Sequence, residues 1–205
     1  VFKVLNKYYG YNTFRKGQYE IISNILRGRD SFCILPTGGG KSICYQIPAL
    51  LFKGITIVIS PLISLMKDQV DNLNSNGINA RYINSTQRLE LSDEIIELCK
   101  RGEVKLLYIA PEKLENEFFK RKLRALNISQ IAIDEAHCVS QWGHDFRSSY
   151  RRISRVVSLL RNRPIVAAFT ATATAEVRDD IIKLLELNNP KIFISGFDRK
   201  NLKII

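Results

Sequence analysis

The chain has 205 residues, 45% hydrophobic and 25% charged, enough for one large α/β domain or two small ones, which excludes disorder as the expected state. Lys and Arg number 31 against 20 Asp and Glu, a net charge of +11, and such a surplus draws a protein to polyanions, either nucleic acid or an anionic membrane surface. No run of about 18 apolar residues exists to span a membrane, and Val1-Phe2-Lys3 does not begin a signal peptide; a start at Val points to a fragment or a processed chain.

The predicted elements alternate along the chain. A helical pattern over 17–27 leads into a short apolar run at 31–35. A second helix is expected over 41–52, then a β-branched run at 55–59 and a helix over 62–76. Further apolar runs at 80–83, 104–109, 130–134, 165–169 and 191–194 are separated by helical patterns over 88–101, 113–126, 149–161 and 175–187. Runs this short and this apolar read as strands buried on both faces. The alternation predicts βαβ units and a mainly parallel sheet with helices on both faces. Residues 1–195 are expected to form one domain, and 196–205 to begin a linker. Cys33, Cys44, Cys99 and Cys138 form no Cys-x-x-Cys pair and sit in or near apolar segments, so they read as buried thiols rather than a zinc site or a disulfide framework.

In such a sheet, ligands bind at the carboxyl ends of the strands. After the first strand comes Leu35-Pro36-Thr37-Gly38-Gly39-Gly40-Lys41-Ser42, opening directly into a helix. Glycines let backbone amides approach phosphate oxygens, and the helix N-terminus adds partial positive charge. Lys41 is placed to reach the β- and γ-phosphates of ATP, and the Ser42 hydroxyl to ligate Mg²⁺. Leu35 stands where the strict phosphate-loop pattern has its first Gly, so a plain glycine turn is the alternative. After the run at 130–133 comes Asp134-Glu135-Ala136-His137. Asp134 is assigned to magnesium and Glu135 to activation of the attacking water; helix capping is the bland alternative.

With both sites in place, the chain resembles the RecQ family of superfamily 2 DNA helicases, in the first of their two RecA-like, P-loop NTPase lobes. The resemblance rests on Phe14-Arg15-Lys16-Gly17-Gln18, Cys44-Tyr45-Gln46-Ile47-Pro48-Ala49-Leu50, Ser60-Pro61-Leu62-Ile63-Ser64-Leu65-Met66-Lys67-Asp68-Gln69, Asn84-Ser85-Thr86-Gln87, Tyr108-Ile109-Ala110-Pro111-Glu112, the loop from Cys138 to Arg147, and Phe169-Thr170-Ala171-Thr172-Ala173-Thr174. It covers essentially the whole chain in order. RecQ-like chains also lack the first loop Gly, and Lys16 stands where they often carry Pro.

The resemblance implies that Gln18 reads the adenine edge, with Tyr11 and Arg15 beside it. It implies that Pro61, Ser64 and Lys67 meet a DNA phosphate, and that the loop carrying Gln141, Trp142, His144, Phe146 and Arg147 offers bases a stacking surface and phosphates a cation. His137 and Gln141 are the expected links from that loop to the catalytic carboxylates. Thr170 and Thr172 match the motif coupling hydrolysis to strand separation, with helix capping as the alternative. It further implies ATP and Mg²⁺ as cofactors, no zinc within these residues, single-stranded and forked DNA as partners, 3′ to 5′ movement, a second RecA-like lobe beyond the linker at 196–205, no membrane, and a place in the bacterial nucleoid or the nucleus. A small P-loop phosphotransferase and a non-catalytic, nucleotide-gated DNA-binding module are the competing readings.

Overall fold

In a computed structural model of the chain, residues 1–143 and 145–195 are described. Seven parallel strands form one sheet: β1 (Ser31–Ile34), β2 (Ile55–Ile59), β3 (Ala80–Ile83), β4 (Leu106–Ile109), β5 (Ile128–Ile133), β6 (Ile165–Thr170) and β7 (Lys191–Ile194), in the order β3-β4-β2-β5-β6-β1-β7. The chain leaves β1 for β2, building one half of the sheet, and returns through β5 and β6 to fill the gap beside β1. The carboxyl ends of β1, β6 and β5 therefore stand side by side, with Ile34 opposite Thr170 and Ile133 opposite Ala168.

Side chains alternate across the sheet, as strand geometry requires. Phe32, Ile57, Ile59, Leu107, Ile131 and Ile133 point into one apolar layer, covered by α5 (Leu89–Lys100), α6 (Glu117–Arg124), α7 (Arg152–Leu159) and α8 (Ala175–Leu184). Cys33, Leu35, Val58, Leu106, Tyr108 and Ala132 point into the other, covered by α2 (Gln18–Leu26), α3 (Lys41–Leu51) and α4 (Ile63–Ser75). All four cysteines are buried and free. No helix among the described residues is long and apolar enough to cross a membrane.

Three differences from the expected elements have physical causes. The helix α1 (Phe2–Tyr9), absent from the sequence reading, packs Leu5 against Ile22 of α2 and Ile47 of α3 and ends on Gly10 in the left-handed region. The stretch 113–126 is not one helix: a 3₁₀ turn over Pro111–Glu115 precedes α6, because the Asn116 side chain accepts a hydrogen bond from the Phe119 amide and starts a new helix there. The run at 191–194 is not buried on both faces: β7 is an edge strand beside β1 alone, and Ile192 and Ile194 are exposed. Residues 196–205 lie outside the described residues.

Candidate functional site

The site is assembled at the carboxyl ends of β1, β5 and β6. Leu35 extends β1 by one residue, its amide donating to the Thr170 carbonyl at 3.0 Å and its side chain buried in the α2–α4 layer. That explains the missing glycine: the position is still strand and core. The turn follows immediately. The Gly39 amide donates to the Pro36 carbonyl at 2.8 Å, and a Cβ on Gly39 would meet that carbonyl oxygen at 2.8 Å. Gly40 has φ 78° and begins α3; a Cβ there would lie 2.3 Å from the Gln18 amide nitrogen. Glycine is required at Gly39 by close approach to the backbone and at Gly40 by φ, where a Cβ would also displace the Gln18 amide.

Gln18 is buried at the start of α2, and its amide is engaged at both ends. Its Oε1 accepts from the Arg15 amide at 2.9 Å, and its Nε2 donates to the Gly40 carbonyl at 3.1 Å. The Arg15 guanidinium donates to the Gly38 carbonyl. In this arrangement Gln18 and Arg15 brace the phosphate loop through its carbonyls, and both also line the cavity beside it. Between that loop and Tyr11 opens a cavity of about 510 Å³, whose wall also takes in Leu5, Thr13 and Ile43, all missed by the sequence reading. Its size suits a small-molecule ligand. Thr37 and Gly38 are exposed on the loop, and Ser42 lies at the first turn of α3.

Across from the loop, Lys41 Nζ lies 3.4 Å from Glu135 Oε1. Asp134 directly follows β5, its amide donating to the Ile59 carbonyl, while its backbone carbonyl accepts from the Tyr150 hydroxyl at 2.9 Å. Burial, and then the neighbouring Glu135 charge, push the Asp134 carboxyl up to about 6, although Lys41 pulls against them. Glu135 adopts φ 46°, ψ 49°, a left-handed conformation unusual for a residue with a Cβ. Strain of this kind persists where surroundings over-determine it, often at functional sites. Ser60, beside Asp134 at the end of β2, is buried, and its Oγ has no hydrogen-bond partner among the described residues.

His137 is buried beneath the carboxylates. Its Nδ1 lies 3.0 Å from Thr170 Oγ1 and 3.4 Å from Glu135 Oε2. Thr170 is fully buried and its hydroxyl also donates to the Thr172 carbonyl at 3.0 Å, so it caps no helix and touches no solvent. The cap of α8 is Thr174, whose side chain accepts from the Val177 amide. Thr172 is exposed.

From His137 the chain enters the aromatic loop. Ser140 Oγ donates to Asp180 at 2.6 Å and accepts from the Trp142 amide, and a Cβ on Gly143 would lie 2.3 Å from the His137 carbonyl oxygen. The base of the loop is thus fixed while Trp142 is 81% exposed and Gln141 is also exposed. Arg147 donates to the Pro61 carbonyl at 3.2 Å and pairs with Asp145. Phe146 is exposed, with the Arg151 guanidinium 5.1 Å from its ring centre. A shallow cleft of about 350 Å³ runs between Trp142, His137 and Thr172. His144 lies outside the described residues. Pro61 is buried, whereas Ser64 and Lys67 are exposed at the start of α4.

Comparison with known proteins places these features in a family. A family model described as DEAD/DEAH box helicase matches residues 15–181. The chain is 54% identical over 200 residues to the ATP-dependent DNA helicase RecQ of Bacillus subtilis, covering 97% of this chain and 34% of that protein. It is 50% identical over 200 residues to the protein of the same name from Pasteurella multocida, covering 98% and 32%. The chain therefore spans about a third of the length of these curated relatives. In fold it is similar to the DUF1998 helicase MrfA bound to DNA, with a TM-score of 0.76, 19% identity, and coverage of 94% of this chain and 29% of that one.

Proposed function

Because this chain belongs to the DEAD/DEAH box helicase family, we propose that residues 1–195 are the first, ATP-binding RecA-like lobe of a RecQ-type motor. That motor couples ATP hydrolysis to movement on single-stranded DNA and to opening of forked duplex. The observation that carries this reading is the convergence of Lys41, Asp134 and Glu135 on one edge of the sheet, with an exposed Trp142 loop continuing directly from them. Residues 196–205 would begin the linker to a second lobe, and the protein would work in the nucleoid or the nucleus.

The residues present suit a nucleotide with magnesium. The glycine turn folds back on Pro36, where a Cβ on Gly39 would intrude, and the Tyr11–Gln18 segment walls the neighbouring cavity. Ser42 and Asp134 would hold Mg²⁺, and the orphaned Ser60 hydroxyl beside Asp134 suits a polar neighbour such as the ion's hydration shell. Magnesium, when bound, supplies charge neutralisation at the phosphate oxygens. Lys41 exchanges its hold on Glu135 for the phosphates, which frees the Glu135 carboxylate to orient water and accept its proton. His137 and Thr170 position Glu135 from below and join it to the strand between β1 and β5. Because Trp142 and Gly143 are bonded to Ser140 and Gly143 packs closely on the His137 carbonyl, a base stacking on Trp142 would be felt at the same histidine.

The reading also implies what this lobe needs from elsewhere. A cation aimed at the transferring phosphate from the opposite side is worth about 10³–10⁵ in rate, and the reading assigns it to the second lobe. The deciding experiment is ATP turnover with and without single-stranded DNA, beside Lys41→Ala. We expect nucleotide binding that is lost in the variant, slow or no turnover, and no unwinding. DNA-stimulated turnover by this chain alone, abolished by Lys41→Ala, would show the lobe to be self-sufficient and the division of labour wrong.

A further inference from the structure

Beneath the phosphate loop, the layer between the sheet and α2–α4 is not wholly apolar. Gln46 of α3 is 3% exposed and fully engaged. Its Oε1 accepts from the Tyr9 hydroxyl at 3.0 Å, and its Nε2 donates to the Tyr108 hydroxyl at 3.1 Å and to Gln69 Oε1 at 3.1 Å. Tyr108 is on β4, and Ser42 lies one helical turn before Gln46 on α3 itself. The result is a path from Ser42 along one turn of α3 to Gln46, and across to Gln69 in the middle of α4, buried at Gln46 and Tyr108 and half-buried at its two ends.

A layer that only needed filling would take Phe and Leu here. Each hydroxyl or amide carries a desolvation penalty of about 1–3 kcal/mol if it loses its partner, so the members of the path cannot shift independently. One end is the side chain read as a magnesium ligand. The other is the helix whose first two turns carry Ser64 and Lys67, both exposed. Among the described residues, the Gln46–Gln69 bond is the side-chain hydrogen bond that crosses from α3 to α4.

We propose that the Gln46–Gln69 hydrogen bond links nucleotide occupancy at Ser42 to the placement of α4 against DNA, with both glutamines as positioning residues. This rests on the reading above that the start of α4 meets DNA phosphates. Gln69 is only half-buried, so Gln69→Leu removes the crossing bond while Tyr9, Gln46 and Tyr108 keep their mutual bonds. Gln46→Met cuts the path at its centre as a second variant.

Coupling between two ligands is reciprocal and is read as the ratio of one ligand's affinity with and without the other. The affinity of the chain for a fluorescein-labelled oligothymidylate is measured by anisotropy, with and without a saturating non-hydrolysable ATP analogue and magnesium. In the unaltered chain the ratio should be about fivefold or more. In Gln69→Leu it should fall within twofold of unity, with the separate affinities for DNA and analogue, and the melting temperature, little changed. A ratio retained in Gln69→Leu and in folded Gln46→Met overturns the link alone. Failure of the unaltered chain to bind DNA overturns the functional reading beneath it. DNA binding that ignores the nucleotide overturns the link, because this lobe then has nothing to transmit.

Discussion

Lys41 Nζ and Glu135 Oε1, 94 residues apart in sequence, face each other at 3.4 Å across the mouth of the site. The pair neutralises the carboxylate assigned to water activation while no phosphate occupies the loop. On the proposed reading a nucleotide would compete for the same ammonium, so that its binding and the release of Glu135 would be one event. Charge-assisted hydrogen bonds are worth about 1.5–3 kcal/mol, so Lys41→Ala should weaken nucleotide binding by about tenfold or more in a fluorescent-nucleotide titration. The pair is partly solvated, so urea unfolding should shift by no more than about 1 kcal/mol. Wild-type affinity in the variant would refute the assignment of the loop.

Asp134 carries its own pH signature. Its carboxyl is raised from 3.8 to about 6, first by burial and then by Glu135. The folded lobe therefore holds this proton more tightly than the unfolded chain, so the associated stability is complete below about pH 3.8 and is lost as pH rises through about 6. The full displacement is worth up to about 3 kcal/mol. Asp134→Asn should make the lobe more stable than the unaltered chain at pH 7.5, with the difference vanishing near pH 4. Urea denaturation across that range in the presence of EDTA, without nucleotide, is the measurement. An Asn variant no more stable at pH 7.5 would contradict a carboxylate held at a cost.

What was legible in the sequence was what is local. The β-branched run at 55–59 is β2 to the residue, and Gly-Gly-Gly-Lys-Ser identifies its own turn because Gly39 lies too close to a backbone carbonyl for a Cβ and Gly40 has φ 78°. Even α1 had a signal in Val1, Val4, Leu5, Tyr8 and Tyr9 at helical spacing before Gly10. The illegible parts are set by distant partners. Nothing near Gln18 reveals that its amide meets the carbonyl of Gly40, 22 residues on. Thr170 and Thr174 look alike in Thr-Ala-Thr-Ala-Thr, yet the end of β6 buries the first against His137 and the start of α8 makes the second a cap. Gln46 and Gln69 sit in helices that look ordinary until the sheet brings Tyr108 beneath them.

Far from the site, at the opposite ends of the strands, Asp30 gathers three segments. It is 3% exposed, and its carboxylate accepts from the Arg163 guanidinium at 2.6 and 3.1 Å, the Val166 amide at 2.9 Å and the Asn188 amide at 2.7 Å. Asp30→Ala leaves two backbone amides without their acceptor and should cost about 3–5 kcal/mol in urea unfolding. Arg163 is itself partly exposed, so Arg163→Ala should cost distinctly less. Equal costs would mean that the ion pair, rather than the amide bonds, holds these segments together.

Trp142 is the only tryptophan in the chain and is 81% exposed on a loop whose base is fixed by Ser140 and Gly143. A ring so exposed contributes little to folding, so Trp142→Ala should leave the melting temperature within a degree or two of the unaltered chain. Stacking on an aromatic is worth about 1–3 kcal/mol per base, so the same change should weaken single-stranded DNA binding by about fivefold to a hundredfold in an anisotropy titration. The tryptophan fluorescence of the unaltered chain, excited selectively over its tyrosines, should be quenched as DNA is added, since it reports this one ring. Binding that proceeds with unchanged fluorescence, and with equal affinity in the alanine variant, would place the DNA path elsewhere on the lobe and leave Trp142 without a role in it.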